Sequence, residues 1–339
     1  ATLVNYVRAT GLLKDGEGLV SGAQLHDLES GRSFAVQARC VINATGPFTD
    51  EVRRLDDPSV TPMISPSQGV HIVLDGSFLP GDSAIMVPRT PDKRVMFAIP
   101  WHGHTLVGTT DTPIEEATLE PVPMEQEIRF ILETAGRYLA RTPSRSDIRS
   151  VFAGIRPLVR ATDDRNTAAL SRDHTLHIAN SGLLTITGGK WTTYRHMAED
   201  YVNHAATLAR LEERPCITRQ LKIHGFHRNA EEFGDLAYYG TDAMRIDDLV
   251  HVVPGLAERL DPELPYTRAM VVWAVRQEMA RTVDDVLSRR TRATQLNAAA
   301  ARRMAPEVAA LMATELGRDA DWQRQQVADY DAIVRRYMA

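Results

Sequence analysis

The chain has 339 residues, 43% of them hydrophobic and 24% charged, and a formal net charge of −5. These values suit a globular protein of two or three domains and offer no global attraction to nucleic acid. No apolar run approaches the roughly 18 residues needed to cross a bilayer, and two cysteines, Cys40 and Cys216, exclude a disulfide scaffold and fit a reducing compartment.

Asn5 to Leu12 has a strand pattern, followed by a turn at Gly16-Glu17-Gly18. Leu19 to Asp27 and Ser33 to Gln37 read as a hairpin turning at Glu29-Ser30-Gly31-Arg32. Cys40 to Ala44 is a short apolar strand stopped by Thr45-Gly46-Pro47, and Pro47 suits the first turn of a helix over Phe48 to Leu55. Val70 to Leu74, Ser83 to Pro88, Val95 to Trp101 and Thr105 to Thr109 are further strands, with a hairpin tip at Asp92-Lys93-Arg94. Met124 to Ala140 predicts an amphipathic helix with Ile128, Ile131, Leu132 and Ala135 on one side. Val151 to Leu158 is strand-like, and Asp163 to Thr167 is a polar loop. Thr175 to Ala179 and Leu183 to Thr187 predict a hairpin, and Trp191 to about Leu211 a helix.

Beyond about Asp242 the chain is strongly helical. Val272, Val275, Met279, Val283 and Val286 repeat at helical spacing. A second helix is expected to start near Pro306 and end before Gly317; a third presents Val327, Tyr330, Val334 and Tyr337 on one face. The chain has no initiator Met and no signal peptide, and Ala1-Thr2-Leu3-Val4 reads as the tail of an element. We therefore expect a piece of a longer chain.

Three runs carry candidate chemistry. Val41-Ile42-Asn43-Ala44-Thr45-Gly46-Pro47 takes a buried strand into a small-residue turn that lets backbone approach a nucleotide, although a plain strand-to-turn junction has the same pattern. Gly154-Ile155-Arg156-Pro157-Leu158 holds an arginine in a stiff backbone; its planar fork suits a phosphate, or a surface ion pair. Leu183 to Arg195 runs from a β-branched strand through Gly188-Gly189-Lys190 into helical spacing. Free N–H groups and a cation there suit an anionic or electron-rich ligand, the alternative being an ordinary turn with a solvated lysine. His71, in Gln68-Gly69-Val70-His71-Ile72-Val73, reads as a base or as a structural strand histidine. No CxxC or HExxH spacing occurs, so no metal site is expected.

In this order the runs resemble the FAD-dependent, quinone-linked glycerol-3-phosphate dehydrogenases of the D-amino-acid-oxidase-like flavoprotein superfamily. Ile99-Pro100-Trp101, Gly108-Thr109-Thr110-Asp111, Ser171-Arg172-Asp173-His174-Thr175-Leu176 and the stretch Arg276 to Arg292 extend the likeness over essentially the whole chain. The family's N-terminal Gly-x-Gly-x-x-Gly turn has no counterpart, so the chain is similar to the C-terminal two-thirds of the family.

The resemblance implies an α/β (α+β) fold: a partial FAD-binding Rossmann-like domain, an antiparallel-sheet substrate domain and an α-helical C-terminal cap. The expected boundaries are 1–60 for part of the FAD-binding domain, 61–160 for the substrate domain, 161–215 for the return to the FAD-binding domain and 216–339 for the cap. It implies FAD as cofactor, held weakly or not at all without the N-terminal segment. The contacts would be Ala44, Thr45, Gly46, Gly188, Gly189, Lys190, Trp191 and Thr192. It also implies oxidation of sn-glycerol 3-phosphate to dihydroxyacetone phosphate, with His71, Arg156 and Lys190 catalytic and Arg156, Arg172, Lys190, His71 and Thr110 on the substrate. Quinone as acceptor, peripheral attachment at the inner face of the cytoplasmic membrane, an otherwise cytoplasmic location and a homodimer follow from the same resemblance. The rival readings are an oxidase reducing oxygen and a flavin-free assembly module.

Overall fold

Early in the chain β1 (Val7–Lys14), β2 (Val20–Asp27) and β3 (Ser33–Gln37) form a three-stranded antiparallel meander. Two residues of the expected next strand pair, β4 (Ile42–Asn43), and a 3₁₀ turn at Gly46–Phe48 leads into α1 (Thr49–Asp56), with Pro47 in the first turn as its fixed φ favours. The structure, a computed structural model, describes residues 1–88, 90, 94–160 and 174–339. The expected loop at Asp163 to Thr167, Arg172 and most of the hairpin tip at Asp92-Lys93-Arg94 lie outside the described residues.

The chain is a mixed α/β protein forming two units. The first comprises Ala1–Gln68, Thr112–Leu119 and Ile155–Leu221; the second comprises Gly69–Asp111, Glu120–Gly154 and Lys222–Ala339. The longest strand, β5 (Ile64–Asp75), is followed by β6 (Ile85–Val87), β7 (Met96–Trp101), β8 (His104–Gly108) and β9 (Thr112–Pro113). After α2 (Glu125–Ala135) comes β10 (Ser150–Val159), and the sheet runs β10-β5-β8-β7-β6 with β9 also on β5.

In the first unit β11 (His174–Ile178) and β12 (Leu184–Gly188) form the expected hairpin, and β12 also pairs with β4 in parallel. A 3₁₀ turn at Trp191–Thr193 opens α3 (Tyr194–Leu208). Asp50 of α1 is buried and accepts from Met63 N at 3.0 Å and Ile64 N at 3.0 Å while pairing with Arg53 at 2.8 Å. That knot fixes α1 against the start of β5, and each satisfied lone pair removes a desolvation cost.

In the second unit Val70, Ile72 and Leu74 of β5 are fully buried and cluster with Ile128 and Ile131 of α2, the stripe expected from their spacing. Each such side chain contributes about 1.5–3 kcal/mol on burial. The C-terminal part is helical, as expected: α4 (Ala243–Val252), α5 (Arg268–Gln277), α6 (Ala293–Leu296), α7 (Ala298–Leu316) and α8 (Ala320–Val334) surround a core that includes Met304, Val308, Met312, Tyr330 and Val334.

Two expectations are corrected here. The Val272-to-Val286 repeat is not one helix: α5 ends at Gln277, Met279 takes φ +53, and a π-helix spans Asp285–Arg290. Pro306 does not start a helix but lies inside α7, which begins at Ala298 under the cap of Asn297. The lost N–H and ring crowding at such a site cost about 3 kcal/mol, offset by the continuous buried face from Ala298 to Ala313.

Candidate functional site

In the first unit two strand-to-helix turns stand side by side. Asn43 and Thr185 are register partners on the parallel strands β4 and β12. Gly46 and Gly188, each the third residue beyond its partner, therefore leave the sheet at the same level, and β12 contacts the Gly46–Phe48 turn. Carboxyl ends of parallel strands, each followed by a helix, form the crevice in which α/β folds take ligands.

The first turn is organised by a side chain that sequence reading passed over. Asn43, buried in β4, donates from Nδ2 to Thr49 O at 3.0 Å and accepts from Thr45 Oγ1 at 2.7 Å. Thr49 Oγ1 donates to Gly46 O at 2.7 Å. The signal available was a lone polar residue in the apolar run Val41-Ile42-Asn43-Ala44. Ala44 and Thr45 are exposed and Gly46 takes φ +56.

The second turn holds two successive left-handed glycines, Gly188 and Gly189, both at φ +74. A Cβ on Gly189 would sit 2.6 Å from Met197 Sδ, so only glycine lets α3 pack this close beneath the turn. Lys190 is exposed with extended backbone, and its carbonyl accepts from Thr193 N at 3.0 Å and Thr193 Oγ1 at 2.9 Å. The N–H groups of Trp191 and Thr192 precede the first intrahelical bonds and point along the positive end of the helix dipole. Trp191 is 85% exposed and its ring stacks on Tyr194 at 5.4 Å. Arg156 is half-buried on β10 in the same unit.

In the second unit His71 lies opposite Gly108 in the β5–β8 ladder. A Cβ on Gly108 would collide with the imidazole, so the glycine makes room for the ring over β8. Phe152 stacks on the His71 ring at 5.6 Å and 17°. Thr110 is buried: its Oγ1 donates to Glu127 Oε1 at 2.9 Å and accepts from Val70 N at 3.0 Å. Glu127 Oε2 in turn accepts from Met124 N at 2.9 Å, so this hydroxyl ties β5 to the start of α2. Gly108, Phe152 and Glu127 were not legible as neighbours of His71 and Thr110, because their contacts join distant parts of the chain.

A cavity of about 620 Å³ in the first unit lies along the other end of β12, lined by Lys14, Arg53, Asp56, His177, Ser181 and Thr185; no residue of the two glycine turns lines it. Lys14 and Arg53 in this cavity are already paired with Asp56 and Asp50.

The residues at the turns fit a flavin dinucleotide. Left-handed glycines, exposed small residues and a cationic helix N-terminus supply what electron-rich ring edges and phosphate oxygens accept. Ala44, Thr45 and Gly46 would line one part and Gly188 to Thr192 the other. The fold and these paired turns define a nucleotide-binding α/β protein of the flavoprotein type.

Residues 1–195 match the family model described as FAD dependent oxidoreductase, and residues 183–324 match the C-terminal domain of alpha-glycerophosphate oxidase. The chain belongs to the FAD dependent oxidoreductase family. It is 40% identical over 351 residues to a probable mitochondrial glycerol-3-phosphate dehydrogenase of Caenorhabditis elegans, covering 96% of this chain and 48% of that one. It is 40% identical to mitochondrial glycerol-3-phosphate dehydrogenase of Rattus norvegicus, covering 93% and 47%. The structure of the Bacillus halodurans glycerol-3-phosphate dehydrogenase complexed with FAD superposes with a TM-score of 0.83 at 26% identity, covering 99% of this chain and 70% of that one. The chain spans about half the length of the curated relatives it matches.

Proposed function

We propose that the chain serves FAD-dependent oxidation of sn-glycerol 3-phosphate to dihydroxyacetone phosphate. The observation that carries this reading is the pair of turns, Ala44-Thr45-Gly46 and Gly188-Gly189-Lys190, ending adjacent parallel strands. Relatives named glycerol-3-phosphate dehydrogenase support the substrate.

When bound, the flavin supplies the two-electron acceptor for the hydride lost from the alcohol carbon. The N–H groups of Gly189 to Thr192 would hold it there and would favour negative charge on the reduced ring. Arg156 and Arg172 hold the phosphate, the guanidinium fork matching two oxygens at once. Lys190 adds a point charge beside the turn and holds a substrate oxygen. His71 takes the proton of the 2-hydroxyl; imidazole suits that task near neutral pH. Its ring is kept in place by Phe152 and by the space above Gly108. Thr110 contributes through its bonds to Val70 and Glu127, which hold β5, the strand of His71.

Quinone is the proposed electron acceptor, with oxygen the alternative that an oxidase would use. Among the described residues no helix is long and apolar enough to cross a membrane. Peripheral attachment to the inner face of the cytoplasmic membrane, a cytoplasmic location and a homodimer complete the reading.

Titration with FAD tests the cofactor. Quenching of flavin fluorescence that saturates with the complete gene product, and that weakens in Gly189→Ala, is the expected result. A complete gene product that leaves FAD fluorescence unchanged at every concentration contradicts it.

A further inference from the structure

We propose that His174 and Asp200 form a positioning pair that sets the Gly188–Thr192 turn, and that flavin affinity depends on it. The flavin part rests on the reading above. His174 begins β11 and is the register partner of Gly188. Its Nε2 meets Asp200 Oδ2 at 3.0 Å. A carboxylate only accepts, so Nε2 carries the hydrogen and donates it.

Asp200 stands on α3, the helix opened by the Trp191–Thr193 turn that carries the donors. Three further contacts secure the same end of the helix to the same end of the strand. The Tyr201 hydroxyl donates to Thr175 O. Burial first, and then the charge of Asp200, push the Tyr201 pKa up, so the phenol keeps its proton. The His174 ring meets the edges of His196 at 5.9 Å and Tyr201 at 6.0 Å. Met197, between these residues, is the side chain that fits under Gly189, and His174 Cβ lies 3.3 Å from where a Gly189 Cβ would stand.

The turn is therefore backed by α3 through Met197 and by β11 through His174. Two consecutive left-handed glycines have the widest backbone freedom of any pair, so they need an external restraint to hold their N–H groups in one direction. Asp200 supplies it by pulling the helix onto β11 through His174. His204 also approaches Asp200, with Nδ1 3.6 Å from Oδ1 while bonding Asp200 O at 2.8 Å. The second histidine leaves Oδ2 to His174.

Hydrogen exchange on the flavin-free chain reads the restraint directly. We expect His174→Ala and Asp200→Ala to speed exchange at the amides of Thr193 and Tyr194, which bond Lys190 O and Trp191 O and close the turn, by about tenfold, the worth of one such bond, with the β1–β3 meander unchanged. Asp200→Asn, which still accepts from Nε2, is expected to restore protection. The alanine variants should weaken FAD by a similar factor. Faster exchange spread evenly over the first unit, or no change at the turn, overturns the proposal. If the unaltered chain ignores FAD while the local exchange effect holds, the positioning role stands and its link to flavin affinity falls.

Discussion

Arg156 sits between Ile155 and Pro157 on β10, half-buried, and the proline keeps its backbone extended. If it binds phosphate, its loss removes a charge-assisted pair. We predict that Arg156→Ala raises KM for sn-glycerol 3-phosphate roughly 10- to 100-fold, corresponding to about 1.5–3 kcal/mol, and changes KM for unphosphorylated glycerol little. Steady-state kinetics on both alcohols check this; equal losses would remove the phosphate role. His102 yields a prediction of another kind. Burial, then the charges of Arg292 and His104, hold its pKa below the usual histidine value, and its Nδ1 bonds the Tyr238 hydroxyl. The folded state thus favours the neutral ring, and the unfolded chain binds the proton more readily. Stability is full above the unfolded value near 6.5 and falls as pH drops from there toward the lower folded value. His102→Gln should flatten that acid-side decline, measured as urea midpoints at neutral and mildly acidic pH.

At the level of elements, α7 shows what local chemistry decides. Asn297 Oδ1 accepts from Ala300 N at 3.1 Å and Asn297 is buried. Asn297→Ala should cost about 1 kcal/mol, seen as a lower urea midpoint, and Asn297→Ser should recover most of it. That cap was available in the sequence, yet Pro306 drew the expected helix start to the wrong place. Propensity penalised the proline, and the buried faces of Met304, Val308 and Met312 outweighed it. The periodic elements were legible: the early hairpin, the β11–β12 hairpin, and α2 with its Ile128 and Ile131 stripe. The π-helix over Asp285–Arg290 was not, because the valine spacing through it mimics an α-helix. There Asp285 accepts from Arg281 N at 2.9 Å and Thr282 N at 3.1 Å, side-chain bonds that periodicity does not carry. The glycine turns were readable one by one. Their adjacency was not, since it depends on Ile42 pairing with Leu184 far along the chain. For the same reason His71 was nameable, whereas Gly108 and Phe152, which define its surroundings, were not.

On the scale of the whole molecule, each unit is assembled from three separate stretches of chain. The chain crosses between units along β5 and β10, so the candidates assigned to each, Arg156 and Lys190 in the first and His71 in the second, come from elements that are distant in sequence. Net charge is −5, so an anionic substrate gains nothing from the overall field and must be held by local cations. The central claim is that a flavin held at the paired turns accepts electrons from a phosphorylated alcohol. Its most direct test is anaerobic mixing of the complete gene product, loaded with FAD, with sn-glycerol 3-phosphate while the visible flavin band is followed. The account predicts rapid loss of that band with sn-glycerol 3-phosphate and little with glycerol. A flavin that dithionite bleaches and sn-glycerol 3-phosphate leaves oxidised would contradict it.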